Sequence, residues 1–167
     1  MKQADRRKVP ANLALVVFDV DGVLTDGRIW LSDEGVESKA FHTQDGFGIR
    51  QLLRRGIDVA AISGRKSNAV EKRLSELGVT HMILGCADKV AAFQSLINDL
   101  GIDATSTIYV GDDVPDIPLL RRVGLAIAVA NAVPEVKEEC ELTTNACGGQ
   151  GAVREVCDLV LASRKLN

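Results

Sequence analysis

Short runs of β-branched and aliphatic residues alternate along the chain with segments whose apolar residues recur at helical spacing. The runs predict strands over residues 13–20, 57–62, 81–84, 107–110 and 125–129, and the periodic segments predict helices over 67–77, from about Asp88, and over 153–161. This alternation is typical of βαβ units, so we expect an α/β fold: a three-layer, doubly wound parallel sheet. No repeat or linker divides the sequence, and we expect residues 1–167 to form a single domain.

Residues 27–40 interrupt this alternation. They contain Trp30, the only tryptophan, and a turn signal at residues 33–35, which together predict a β-hairpin inserted after the first strand. A two-stranded hairpin is marginally stable in water unless something covers it. The hairpin therefore packs on its own domain or against another subunit, and we expect an oligomer.

Composition excludes several classes of protein. The formal net charge of the 167 residues is −3, which argues against a nucleic-acid-binding surface. No apolar run approaches the roughly 18 residues that a membrane span requires. The four cysteines show no CxxC spacing, so reduced thiols and a cytoplasmic location are expected.

Acidic residues follow two of the predicted strands. Asp19 and Asp21 come at the end of the first strand, and Asp112 and Asp113 follow the strand over 107–110. Ligands of open α/β sheets bind at the carboxyl ends of the strands, so these carboxylates are expected to meet there. Their mutual repulsion implies a bound cation, and oxygen ligands without a histidine or thiolate pair favour Mg²⁺.

Other sites that bind metals or nucleotides fit the sequence less well. An EF-hand loop would need different residues where Val23 and Leu24 stand, and neither His42 nor His81 has a metal-spaced partner. There is no Walker A sequence and no GxGxxG motif after the first strand.

A nucleophilic carboxylate, a cation, a hydroxyl and a lysine suit phosphoryl transfer. An aspartate can accept the phosphoryl group, and a second carboxyl two residues later can act as general acid and base. Ser63, at another strand end, and Lys89, at a helix start, can hold the phosphoryl oxygens. A receiver module that stores phosphate on aspartate, or a catalytically silent oligomerisation domain, remains an alternative from these residues.

Four motifs, in order, resemble those of the haloacid dehalogenase superfamily. They are residues 18–25 (FDVDGVLT), residues 63–65 (SGR), Lys89 and residues 111–116 (GDDVPD). The hairpin insert, residues 40–50 and residues 148–155 are most similar to the 3-deoxy-D-manno-octulosonate 8-phosphate phosphatase family. The resemblance covers residues 13–163 and implies a fold without a cap domain.

The resemblance also implies roles for the motif residues. Asp19 would be the nucleophile and a Mg²⁺ ligand, and Asp21 the acid/base and, through its carbonyl, a further ligand. Asp112 would bind the metal directly. The phosphate-binding residues would be Ser63 and Lys89, with Asp113 and Asp116 in supporting positions.

The activity implied is Mg²⁺-dependent hydrolysis of 3-deoxy-D-manno-octulosonate 8-phosphate through an aspartyl-phosphate, in lipopolysaccharide precursor synthesis. A second set of residues would contact this sugar acid phosphate: Asp21, His42, Thr43, Gln44, Asp45, Gly46, Arg50, Arg65, Arg73 and Lys89. Arg73 also fits a surface ion pair on its helix.

The family forms homotetramers in which the hairpins pack centrally and a C-terminal tail, here residues 148–167, reaches a neighbouring site. Gln150 stands in this tail where the family commonly has arginine, so a related nine-carbon 2-keto sugar acid phosphate is an alternative substrate. Ser63, in place of the frequent threonine, keeps the hydroxyl.

Overall fold

The computed structural model describes residues 3–164, and its eight strands form a six-stranded parallel sheet and a separate hairpin. In chain order the strands are β1 (Leu15–Phe18), β2 (Trp30–Leu31), β3 (Glu37–Ser38), β4 (Asp58–Ser63), β5 (His81–Leu84), β6 (Thr107–Gly111), β7 (Leu125–Ala128) and β8 (Leu142–Thr143). The sheet has the order β5-β4-β1-β6-β7-β8 with all pairs parallel. The five predicted strands are confirmed, with ends that differ from the predicted ones by at most two residues, whereas the two-residue β8 was not predicted.

Within residues 3–164, six α-helices connect or flank these strands. They are α1 (Thr43–Arg54), α2 (Asn68–Leu77), α3 (Lys89–Leu100), α4 (Ile117–Leu120), α5 (Pro134–Glu138) and α6 (Ala152–Ser163). Asp88 caps α3 as predicted, because its carboxylate accepts hydrogen bonds from the amides of Val90 and Ala91 at 2.9 and 3.0 Å. None of the helices within residues 3–164 has the length and apolarity that crossing a membrane would require.

Helices cover both faces of the sheet. α1 packs against α2 and α6, whereas α3 packs against α4. The residues of β1 are all fully buried, as expected for an inner strand covered on both faces. The three-layer, doubly wound α/β fold is therefore confirmed.

The order of the strands places a switch point between β1 and β6. From β1 the chain crosses to β4 and β5 on one side, and later returns to β6 and β7 on the other. The register pairs Phe18 with Val110, so β1 and β6 end side by side. Loops diverge at such a point and leave a crevice, which here lies between the residues after Phe18 and those after Gly111.

The predicted hairpin is present as β2 and β3, with Trp30 opposite Ser38. Gly35, with a φ of 79°, completes its turn. The side chains of Ile29, Trp30, Leu31 and Val36 are 48–67% exposed in one protomer. The hairpin thus presents an uncovered apolar surface, which we call the hairpin patch (Ile29, Trp30, Leu31 and Val36).

Candidate active site

Asp19 and Asp21 lie on the loop that follows β1. This loop closes into one tight turn, Val20–Leu24, in which Gly22 has a φ of 88°. A Cβ at Gly22 would lie 1.9 Å from Oδ2 of Asp112. Glycine is therefore needed for its left-handed backbone and for its lack of a side chain, and it lets the loop after β1 contact the loop after β6.

Three carboxylates converge where β1 and β6 end. One oxygen from each of Asp19, Asp112 and Asp116 lies within 4.8 Å of the other two. Oδ1 of Asp112 is buried and has no hydrogen-bond partner among residues 3–164. Buried carboxylates at this spacing repel one another unless a cation lies between them.

Asp116 is the member of this cluster whose charge the protein already satisfies. Its Oδ1 accepts hydrogen bonds from the Tyr109 hydroxyl at 2.6 Å and from Nζ of Lys89 at 2.7 Å. Its Oδ2 accepts hydrogen bonds from the amides of Asp112 and Asp113 at 3.0 and 3.3 Å. Four donors fill the lone-pair positions of a carboxylate, so Asp116 has no oxygen left over for a metal ion.

The environment of the other two carboxyls shifts both of them towards the protonated form. Burial, followed by the charge of Asp116, raises the pKa of Asp19 to about 6, although Lys89 opposes the shift. Burial, followed by the charge of Asp19, raises the pKa of Asp112 to about 7. A divalent cation would ionise both groups, and a donor set made of oxygen atoms fits Mg²⁺.

Ser63 and Lys89 lie near these carboxylates on the side of β1 that faces β4. Ser63 is the buried last residue of β4, and its Oγ accepts a hydrogen bond from the amide of Arg65 at 3.2 Å. Lys89 opens α3, and its Nζ lies 2.9 Å from Oδ1 of Asp19. Burial lowers the pKa of Lys89, but Asp19 and Asp116 outweigh this effect and raise it, so the ammonium stays charged.

These groups surround one cleft of about 300 Å³. It contains all of the residues predicted to act in catalysis, in metal and phosphate binding or in support, together with Arg65. The lining residues are Asp19, Asp21, Gly27, Ser63, Gly64, Arg65, Lys89, Asp112, Asp113, Pro115 and Asp116.

The other residues predicted to contact the sugar acid lie around α1 and α2, outside this cleft. They are His42, Thr43, Gln44, Asp45, Gly46, Arg50 and Arg73. Asp45 is buried, and its Oδ1 accepts a hydrogen bond from the amide of Arg154 at 2.7 Å, which links α1 to the start of α6. The Arg73 guanidinium packs against Gly46, where a Cβ would lie 2.7 Å from Nη2, and its Nη1 lies 3.5 Å from Glu76.

Sequence reasoning missed two residues of the hairpin that reach the site. Nζ of Lys39 bonds to Oδ1 of Asp21 and lies 3.5 Å from Oε1 of Glu37. Glu37 in turn bonds through Oε2 to Nη2 of Arg65 at 2.5 Å. A charged pair in an exposed hairpin is usually a solvated surface, and only the folded arrangement reveals the contact.

Two glycines after β8 pack against the loop that follows β1 (Val20–Leu24), which we call the catalytic loop. A Cβ at Gly148 would lie 1.7 Å from the carbonyl oxygen of Gly22, and the amide of Gly149 donates to the carbonyl of Val23 at 3.0 Å. Gln150 follows with an exposed side chain and lines a separate small cavity with Arg28, rather than the acidic cleft.

Comparison with known proteins identifies the family. Residues 85–154 match the family model of haloacid dehalogenase-like hydrolases. The chain is 45% identical over 161 residues to the 3-deoxy-D-manno-octulosonate 8-phosphate phosphatase KdsC of Escherichia coli (strain B / BL21-DE3), an alignment that covers 96% of this chain and 86% of the relative. The chain belongs to the 3-deoxy-D-manno-octulosonate 8-phosphate phosphatase family.

Solved structures of this phosphatase family have the same fold. The crystal structure of the Yersinia pestis phosphatase superposes with a TM-score of 0.95 at 41% identity, covering 99% of this chain and 89% of that one. The structure from Moraxella catarrhalis, solved in complex with a magnesium ion, a phosphate ion and a KDO molecule, gives a TM-score of 0.92 at 40% identity, covering 98% and 93%. The predicted family and fold are therefore confirmed.

Proposed function

We propose that this chain is a magnesium-dependent phosphatase that converts 3-deoxy-D-manno-octulosonate 8-phosphate and water into 3-deoxy-D-manno-octulosonate and phosphate. The observation that carries the proposal is the pair of carboxylates formed by the buried Asp19 and the partly buried Asp112, facing Ser63 and Lys89 across one cleft. The Escherichia coli and Yersinia pestis relatives are phosphatases of that substrate by name, and the Moraxella catarrhalis phosphatase was solved with magnesium, phosphate and KDO.

Asp19, Asp112 and the main-chain carbonyl of Asp21 would hold the metal. When bound, Mg²⁺ supplies positive charge that keeps Asp19 ionised and neutralises the phosphoryl oxygens of the substrate. The raised pKa values of Asp19 and Asp112 and the unpartnered Oδ1 of Asp112 support this assignment.

In the first step a carboxylate oxygen of Asp19 attacks phosphorus, and the phosphate ester bond breaks as the new acyl-phosphate bond forms. Asp21 gives its proton to the departing ester oxygen, so this oxygen leaves as a neutral hydroxyl group of the sugar acid. Ser63 and Lys89 hold the phosphoryl oxygens that gain charge during the transfer.

In the second step Asp21, now ionised, takes a proton from water, and the water oxygen attacks phosphorus. The acyl-phosphate bond breaks, which releases phosphate and restores the carboxylate of Asp19. Rapid completion of this step separates a phosphatase from a receiver module, in which the phosphoryl group persists.

The substrate carboxylate needs cationic partners, which the cleft of one protomer supplies through Arg65. We assign further contacts to His42, Thr43, Gln44, Asp45, Gly46, Arg50 and Arg73. None of them lines the cleft of its own protomer, and the exposed members of this group, Thr43, Gln44 and Arg50, are the ones that are free to approach a substrate bound to a neighbouring subunit. A homotetramer packed through the hairpin patch is the assembly that we propose for this purpose. We assign the reaction to lipopolysaccharide precursor synthesis in the cytoplasm.

The test is a kinetic panel of phosphorylated 2-keto sugar acids. Purified protein is expected to release phosphate from the eight-carbon substrate with Mg²⁺ and to lose this activity in a chelator. Asp19→Asn is expected to abolish turnover while thermal unfolding stays cooperative. A higher kcat/KM for the nine-carbon analogue would make that compound the preferred substrate, and no turnover on any member of the panel would refute the proposal.

A further inference from the structure

Lys39 is a lysine whose side chain is completely buried beside the candidate acid/base. It stands one residue after β3, and its side chain has no exposed surface. Its ammonium bonds to Asp21 and lies 3.5 Å from Oε1 of Glu37. A buried ammonium is costly unless it is paired, and here two carboxylates flank it.

Only one of the two carboxyl oxygens of Asp21 is hydrogen-bonded to the ammonium of Lys39. Oδ1 accepts the hydrogen bond from Lys39, whereas Oδ2 is buried without a hydrogen-bond partner among residues 3–164. Nε of Arg65 lies 3.6 Å from Oδ2, beyond hydrogen-bond distance, and this guanidinium is already bonded to Glu37 at 2.5 Å. Oδ2 is therefore the oxygen that can carry a proton.

We propose that Lys39 is a positioning residue for Asp21, an inference that rests on the acid/base role given to Asp21 in the proposed function. By holding Oδ1, Lys39 fixes the carboxyl so that Oδ2 carries the proton toward the ester oxygen. This proton moves from Oδ2 to the ester oxygen as the phosphorus–oxygen bond breaks, and Lys39 keeps all of its own protons. Its charge stabilises the carboxylate that the transfer leaves behind.

Two other roles for Lys39 make different predictions. If Lys39 only anchors the hairpin, its loss lowers the rate for every substrate by the same factor. If it contacts the sugar, its loss affects the sugar acid phosphate and no simpler ester. A positioning role makes the loss depend on how much the leaving group needs a proton.

The experiment measures kcat/KM for a series of aryl phosphates of graded leaving-group basicity and for the sugar acid phosphate. It compares the wild-type protein, Lys39→Met, Lys39→Arg and the control Lys72→Met, which removes an exposed lysine of α2. This ratio reports the steps up to departure of the leaving group, so slow hydrolysis of the aspartyl-phosphate does not enter it.

For Lys39→Met we expect kcat/KM to fall about 10- to 100-fold for the most basic leaving groups and to stay within about threefold for the most acidic ones. The dependence on leaving-group basicity is thus steeper than in the wild type. Lys39→Arg restores most of the wild-type slope, and Lys72→Met keeps all of it. Slopes compare substrates within one preparation, so a partly folded variant does not distort them.

An unchanged slope overturns the proposal, whether the loss is uniform across the series or confined to the sugar acid phosphate. Failure of the proposed function gives a different result. In that case the wild-type protein itself does not hydrolyse the sugar acid phosphate, or Asp19→Asn keeps its activity on the aryl series.

Discussion

At the residue scale, the candidate active site contains carboxyl groups that the fold shields from solvent. Burial is the main reason why the pKa of Asp19 is about 6 and that of Asp112 about 7, against an ordinary value of 3.8 for an aspartate. A carboxyl with a raised pKa in the folded state contributes stability below the unfolded pKa, near 4, and that contribution is lost as the pH rises through 6 to 7.

For the metal-free protein in a chelator, these two groups are expected to lower the free energy of unfolding between pH 5 and pH 8 by on the order of 1–3 kcal/mol. Mg²⁺ at pH 8 restores this loss, because the bound cation stabilises both ionised carboxylates. Urea unfolding at the two pH values, with and without Mg²⁺, measures the effect.

Asp112→Asn is the matched control for this prediction. It removes one of the two titrating groups and a metal ligand. The free energy of unfolding of this variant therefore depends less on pH, and Mg²⁺ stabilises the variant less. Identical pH dependence in the variant and the wild type would contradict the assigned origin of the effect.

At the scale of secondary-structure elements, the catalytic loop depends on a segment distant in sequence. Gly148 lies directly against the carbonyl of Gly22, and the amide of Gly149 bonds to Val23. The tail segment therefore fixes the backbone that carries Asp19 and Asp21.

Gly148→Ala is expected to displace the catalytic loop, because its Cβ would lie 1.7 Å from a backbone oxygen that cannot move alone. We expect kcat/KM for the sugar acid phosphate to fall at least about tenfold, as for a displacement of about 1 Å in a catalytic group. Gly101→Ala is the control for a general loss of stability, since its Cβ would meet nothing within 4 Å but its φ of 63° strains the backbone at the end of α3, away from the catalytic loop. Near-wild-type activity of Gly148→Ala would show that the contact does not position the loop.

Elements of different kinds were unequally predictable from sequence. β1 was predictable because the apolar run before Asp19 is uninterrupted, and the motif residues follow from strand ends that must meet. α1 was not predicted, because Gly46 and Gly48 weaken its helical pattern, and the structure explains both glycines by close packing. A Cβ at Gly48 would lie 2.9 Å from Cβ of Cys157 in α6.

The contact between Lys39 and Asp21 was not predictable from the sequence. Its residues are 18 positions apart in segments that the sequence marks only as a loop and a hairpin. Its formation depends on how β3 folds back over the loop after β1, and no local pattern specifies that. The same limit applies to Tyr109, which looks like an ordinary strand residue until its hydroxyl is seen to donate to Asp116.

At the scale of the whole molecule, a single protomer leaves an apolar surface uncovered and holds several predicted substrate-binding residues outside its own cleft. The hairpin patch exposes Trp30 at 62% and Leu31 at 67%, an apolar surface that a neighbouring subunit would cover. The arginines assigned to the sugar acid on α1 and α2 stand outside the cleft of their own protomer. Assembly through the hairpin patch would cover this surface and would bring residues of one subunit near the cleft of another.

Trp30→Glu is expected to dissociate the proposed homotetramer, since a charge in the centre of an apolar interface is left unpaired on burial. Sedimentation measures the loss of assembly, and kcat/KM for the sugar acid phosphate falls with it. Thr80→Glu, which adds the same charge at an exposed position before β5, is the control and keeps both properties. An intact tetramer in Trp30→Glu would show that the patch is not the interface.

The central claim, that Asp19 accepts the phosphoryl group, can be tested by chemical trapping during turnover. Borohydride reduces an aspartyl-phosphate to homoserine, and peptide mass spectrometry then locates the reduced residue. We expect homoserine at position 19 when the substrate and Mg²⁺ are both present, and none when either is left out. Homoserine at another acidic residue, or full turnover by Asp19→Asn, would contradict the account.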